Sequence, residues 1–229
     1  MRNWLSAIAL SLACSALAQA APPPHVEVAY EVLYNGSAVA DVSYVLDHDG
    51  KKYELVERWK GRGIYAVLGH AQRISRGTIS ASGIRPLYYE DARTLRETAT
   101  ARFDWEAKSL TLQFRQGPQQ RPMPPNAQDR LSFLFSFVFK PPGKSPIEFK
   151  VVDGKGVAEY VLDIAGRERL KVPAGEFDTL RLVERKEHPG DRGSEVWLDV
   201  SRDYMPVRVL IVQKDGTRID QVAARISPP

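Results

Sequence analysis

The sequence predicts a mainly β protein: a curved antiparallel sheet, or unclosed barrel, wrapped around one apolar helix. Three observations carry that prediction. Apolar and polar residues alternate with period two over most of the chain. Asn-Gly, Asp-Gly and related pairs punctuate the alternation at short intervals, as tight turns do. One segment, 126–140, breaks the pattern, with Phe133, Phe135, Phe137 and Phe139 set around two serines.

Residues 1–20 come first and stand apart. Arg2 supplies a positive start, 4–17 are mostly apolar, and Ala18-Gln19-Ala20 is a small-x-small cleavage signature. The segment reads as a secretory signal peptide. The remainder, 21–229, reads as a single exported β-rich domain, periplasmic in a Gram-negative host. The one cysteine, Cys14, lies in the cleaved segment, so the mature chain uses no disulfide. Lipidation at Cys14 is the alternative, but Ser11 stands where lipidation boxes carry leucine.

Val26, Val28, Tyr30, Val32 and Tyr34 mark one face of a first strand. Asn35-Gly36 then predicts a primed turn with positive φ at both residues. The chain returns through 39–46, turns at Asp49-Gly50 in the same manner, and continues through 53–59 as a meander. Residues 61–71 are irregular, with 64–68 a helical turn or loop. Strands resume at 73–80, 87–92, 98–105 and 109–115. Residues 121–125 carry three prolines and read as a loop. In the second half strands read at 147–152, 158–164, 168–172, 178–186, 195–199, 207–213 and 217–226. Their turns include Asp153-Gly154, Ala165-Gly166, Pro189-Gly190 and Asp215-Gly216.

Segment 126–140 is the exception. The phenylalanines alternate as in a strand, whereas Asp129, Ser132, Ser136 and Lys140 recur as a narrow polar stripe on a helix. The flanks decide for a helix of three to four turns: Asn126 is a suitable N-cap, Asp129 suits the positive end of the helix dipole, and Lys140-Pro141-Pro142-Gly143 is a stop. Apolar over most of its surface, such a helix must be wrapped. A curved sheet around it resembles the unclosed barrel of the outer-membrane lipoprotein carriers. That resemblance implies apolar chains entering between sheet and plug. A helix that is simply packed core, with no cavity, is the default reading, since protein interiors are close-packed.

A second resemblance rests on Pro173-Ala174-Gly175-Glu176-Phe177-Asp178-Thr179-Leu180, Val196-Trp197-Leu198, Tyr204-Met205-Pro206-Val207 and Asp129-Arg130-Leu131-Ser132. Across residues 26–226 the chain resembles the bacterial exported family catalogued as domain of unknown function 3108. The resemblance implies an exported protein and carries over no catalytic residue. In the Val196-Trp197-Leu198 run, Trp197 is expected to pack against the helix.

The formal charge is +4, with bases spread among acids, which is no nucleic-acid footprint. The tightest basic groups, Lys51-Lys52, 60–62 and 167–171, read as solvated edges and turns, or as contacts with anionic envelope polymer or lipid. No stretch approaches the ~20 apolar residues of a membrane-spanning helix. The four histidines are not at metal-ligand spacing, and no nucleophile, phosphate-loop or cofactor motif occurs; no catalytic, metal or cofactor site is expected. Glu54, Glu57, Glu90, Asp91, Asp163, Glu184 and Glu195 sit on strands, and two of them could meet across the sheet as a glycosidase pair, but nothing in the sequence selects which. The expected function is an exported envelope protein that binds an apolar or amphiphilic ligand. The alternatives are an interaction module that pairs with an envelope protein through a sheet edge, and a polysaccharide hydrolase. Candidate ligand-binding residues are the aromatics able to face one interior, Trp59, Trp105, Phe133, Phe137 and Trp197, with Leu134 and Val138 bordering the gap between plug and sheet.

Overall fold

The computed structural model describes residues 22–227 apart from positions 95 and 116. The signal-peptide reading of 1–20 and the Cys14 alternative lie outside the described residues.

Among the described residues fifteen strands form one sheet: β1 (His25–Tyr34), β2 (Ser37–His48), β3 (Lys52–Gly61), β4 (His70–Ser80), β5 (Gly83–Arg93), β6 (Arg96–Asp104), β7 (Ser109–Gln113), β8 (Pro118–Pro122), β9 (Ala127–Asp129), β10 (Ile147–Val152), β11 (Val157–Val172), β12 (Gly175–Glu184), β13 (Gly193–Asp199), β14 (Met205–Val212) and β15 (Arg218–Ser227). The spatial order is β8-β7-β6-β5-β4-β3-β2-β1-β15-β14-β13-β12-β11-β10-β9. Nearly every neighbour is therefore a sequence neighbour, as short hairpin loops require. The exception is β1 on β15, an antiparallel pairing that joins the two chain ends. The sheet curls but does not close. Its two edges, β8 and β9, are consecutive in sequence, so the slit lies between them. One helix, α1 (Ser132–Phe139), follows β9 into the interior.

Inward positions follow the alternation. Val26, Val28, Tyr30 and Val32 of β1 are buried, as are Ala40, Val42, Tyr44 and Leu46 of β2. Asn35 and Gly36 take φ of 48° and 85°, the two positive values a primed turn needs. At the second turn the expectation fails: Gly50 alone has a positive φ, and the Asp49 carboxylate accepts the N–H groups of Lys51 and Lys52 at 2.8 and 2.7 Å. An Asx turn has replaced the primed turn because Asp49 offers a side-chain acceptor. Ala165-Gly166 is likewise no turn. It is a bulge, with the register shift between Ile164 and Gly166, inside the sixteen-residue β11. The proline-rich segment carries part of a strand, β8, which begins and ends on proline at an edge where a missing N–H does no harm.

The helix is shorter than its flanks suggest. Asn126 has a φ of 53° and does not cap it, and 127–129 pair with β10 in parallel as β9. Asp129 caps instead. Its Oδ1 accepts the N–H of Leu131 and of Ser132, each at 2.8 Å, and the Ser132 hydroxyl accepts the Asp129 N–H at 2.8 Å. This reciprocal pair is a capping box. Burial pushes the Asp129 carboxyl up to about 6, against the opposing pull of these hydrogen bonds and of Ser75. The polar stripe is also internal: Ser132 and Ser136 are buried, and the Ser136 hydroxyl donates to the Phe133 carbonyl at 2.8 Å.

Phe135 packs toward β1 and β2, its ring 5.2 Å from that of Tyr44. Phe133 and Phe137 pack the other way, against Phe149 and a cluster of Val151, Leu162, Leu182, Val196 and Leu198. The helix thus separates and joins two cores.

Candidate functional site

The strand directions set two ends to the half-barrel. The upper end carries the connections after β1, β3, β5, β7, β10, β12 and β14; the lower end carries those after β2, β4, β6, β11 and β13. The helix descends between them. At its start the Arg130 N–H bonds the Val152 carbonyl at the upper end, 3.1 Å away. At its finish the Phe139 ring meets His48 at the lower end, 5.1 Å away. Eight residues make a helix about 12 Å long, whereas a ten-residue strand spans about 33 Å before tilt. The helix fills only part of the interior, and the space beside its first turn, at Phe133 and Leu134, stays unfilled.

That space, the upper lumen, is a cavity of 560 Å³, within the range of about 300–1,000 Å³ typical of ligand pockets. Its apolar wall includes Val32 and Val42 of the first two strands, Trp59 of β3, Phe133 and Leu134 of the plug, and Val209 of β14. Polar groups gather at the floor and at the mouth.

Glu57, Arg73 and Asp91 are direct cross-strand partners on β3, β4 and β5; Glu57 and Arg73 line the floor of the lumen, and Asp91 lines a neighbouring cleft with Arg93. Glu57 and Asp91 are each 5% exposed. The Arg73 guanidinium pairs with Glu57 and stands 3.3 Å from Asp91. The Tyr44 hydroxyl donates to Glu57 at 3.2 Å, and Arg93 grips Asp91 through two bonds of 2.8 and 2.6 Å. Burial alone would raise the Asp91 carboxyl; hydrogen bonds from Arg93 and the charge of Arg73 outweigh it and hold Asp91 below its ordinary range. Burial, reinforced by the Glu57 charge, pushes the Tyr44 phenol well up. Two carboxylates do converge here, but a guanidinium bridges them.

The expected site residues separate into two groups. Trp59, Phe133 and Leu134 come together on the lumen wall. The others lie elsewhere. Trp105 follows β6 at the lower end, where its indole N–H donates to the Pro86 carbonyl at 2.7 Å and its ring lies under Arg85. Phe137 lines a separate lower cleft of 330 Å³ beside Lys140 and Phe149. Val138 is core, 3% exposed, in the cluster that holds Phe135. Trp197 does not pack on the helix. Its neighbours Val196 and Leu198 cluster with Phe133 and Phe137, which turns Trp197 to the opposite face, bonded to Glu168 and flanked by Arg208 and Arg181 at 4.6 and 5.5 Å. The triad of Glu57, Arg73 and Asp91 was missed as a site. Its signal was parity: Tyr53, Leu55, Glu57 and Trp59 alternate on one face of β3, which places a carboxylate inside.

Neither sheet edge offers a long strand for pairing. β8 has five residues with proline at both ends and Arg121 between, and β9 has three residues, all buried. No helix among the described residues is long and apolar enough to cross a membrane.

Together these features define an unclosed β-barrel with an internal plug helix and a lumen open at one end. The chain belongs to the family described as protein of unknown function (DUF3108), whose model matches residues 29–222. No curated protein matches the sequence. Among solved structures it is similar to the beta-barrel-like protein of domain of unknown function DUF1849 from Brucella abortus, with a TM-score of 0.56 and 8% identity over 90% of this chain and 98% of that one. That likeness is one of fold. An exported protein with a YmcC-like fold from Bacteroides fragilis matches at TM-score 0.40, with 11% identity over 90% and 97% of the two chains. An outer membrane lipoprotein-sorting protein domain from Vibrio parahaemolyticus matches at TM-score 0.24, with 9% identity over 88% and 84%.

Proposed function

We propose that this is an exported envelope protein whose upper lumen holds an apolar or amphiphilic ligand, with Trp59, Phe133 and Leu134 as its contact residues. The observation that carries the reading is the space the plug leaves: a cavity of 560 Å³ beside the first turn of the helix, with Val32, Val42, Trp59, Phe133 and Leu134 on its wall. Its volume lies in the range of small-molecule sites. The export part of the reading rests on residues 1–20, whose sequence has the charge, apolar run and cleavage signature of a signal peptide.

Native mass spectrometry of protein purified without detergent from its own envelope provides the test. The expected spectrum contains, beside the bare chain, a species heavier by the mass of one lipid-like molecule, which organic extraction releases. A bare chain alone, from a preparation that also fails to take up any added amphiphile, would count against the proposal.

A further inference from the structure

We infer that the mouth of the lumen holds the anionic headgroup of an amphiphile, a carboxylate or phosphate, whose chain lies below against the apolar wall. This rests on the reading of the lumen as a ligand site and names the class of ligand.

The observation is an imbalance of charge at the opening. Arg130, Lys155 and Arg192 line the cavity, and none makes an ion pair among the described residues. The acids that line the same cavity are Glu57 and Asp153. Glu57 is engaged by Arg73 and Tyr44. The Arg73 charge is in turn matched by Glu57 and Asp91. The Asp153 Oδ1 is turned into its own loop, where it accepts the N–H groups of Lys155 and Gly156 at 3.0 Å each. The mouth therefore keeps an excess of positive charge.

The topology puts the three cations at one end. Arg130 lies between β9 and α1, and its N–H bonds the carbonyl of Val152, the last residue of β10. Lys155 sits in the turn that follows, with its ammonium 4.7 Å from the Phe114 ring centroid. Arg192 immediately precedes β13, at the same upper end. Below them the wall is Val32, Val42, Trp59 and Leu134. Cations above an apolar shaft favour a ligand that is charged at one end and apolar along its length. A guanidinium fork suits both carboxylate and phosphate, and low-dielectric walls strengthen the attraction.

The test compares dodecanoate, dodecyl phosphate, dodecanol and dodecylamine, each below its micelle concentration, as competitors for the neutral probe N-phenylnaphthylamine. At low ionic strength the two anionic ligands are expected to bind at least about tenfold tighter than dodecanol, the size of one charge-assisted hydrogen bond, with dodecylamine weakest. Added salt should narrow the gap. The combined variant R130Q/K155Q/R192Q should bind dodecanol as the parent does and lose the preference for dodecanoate. Should that variant lose dodecanol binding as well, K155Q alone, at an exposed position, makes the same comparison. Equal binding of dodecanoate and dodecanol by the parent protein would overturn the headgroup assignment and leave the lumen reading standing. Inorganic phosphate that abolishes the preference at concentrations equal to the amphiphile would assign the mouth to a free anion and overturn it too. Displacement by none of the four ligands would overturn both.

Discussion

Replacing Phe135 with aspartate is expected to unfold the protein. Phe135 is 1% exposed and lies in the larger of the two cores, against Tyr44. Truncating a buried phenylalanine to alanine costs about 3–5 kcal/mol. A carboxylate left there without a partner costs several kcal/mol more. The sum matches the whole margin of about 5–15 kcal/mol by which domains are stable. Chemical denaturation followed by circular dichroism measures it, with F135L as the control that keeps an apolar side chain in place. A stable, strand-rich F135D variant would mean that α1 is not the plug around which the sheet is wrapped.

The second large effect is expected at Arg73. R73M removes the guanidinium that stands between Glu57, on the lumen floor, and Asp91. Asp91 keeps its bidentate partner Arg93, but Glu57 is left with the Tyr44 hydroxyl alone. Breaking a buried ion pair by removing one partner costs about 3–5 kcal/mol. The added substitution E57Q removes the stranded charge and should return most of that loss, so the double variant is expected to be more stable than R73M. A double-mutant cycle reads this directly. Additive effects of R73M and E57Q would mean that the two side chains are not coupled and that the floor is not an ionic network.

The sheet was legible wherever side-chain periodicity and local turn chemistry agree. Asn35-Gly36 shows why: a two-residue turn needs positive φ twice, and few other pairs supply it. Asp49-Gly50 and Ala165-Gly166 offer the same glycine signal and use it differently, one in an Asx turn and one in a bulge. Which outcome occurs depends on strand pairing, and pairing is not local. The helix was legible from its phenylalanines and from the proline stop. Its start was not, because Asn126 and Asp129 are both good caps, and the parallel pairing of 127–129 with β10 consumed the first of them. The site was only partly legible. Trp59, Phe133 and Leu134 reach the lumen, but aromatic character alone cannot tell Trp197, on the other face of β13, from Trp59. Nor can it tell Leu134, at the cavity, from Val138, in the core. That distinction depends on where the helix sits in the barrel.

Matched tryptophan substitutions separate a ligand site beside the plug helix from packed core. Leu134 borders the lumen, and Val138, one turn further on, is packed core. The parent protein should bind a fluorescent fatty acid with at least about micromolar affinity, roughly 8 kcal/mol. L134W should fill the lumen and weaken that binding by at least about tenfold while the unfolding midpoint stays near that of the parent. V138W should do the reverse, destabilising by about 1–3 kcal/mol through overpacking and leaving the affinity of the folded fraction unchanged. An L134W variant that folds and binds the fatty acid as tightly as the parent would contradict a ligand site there.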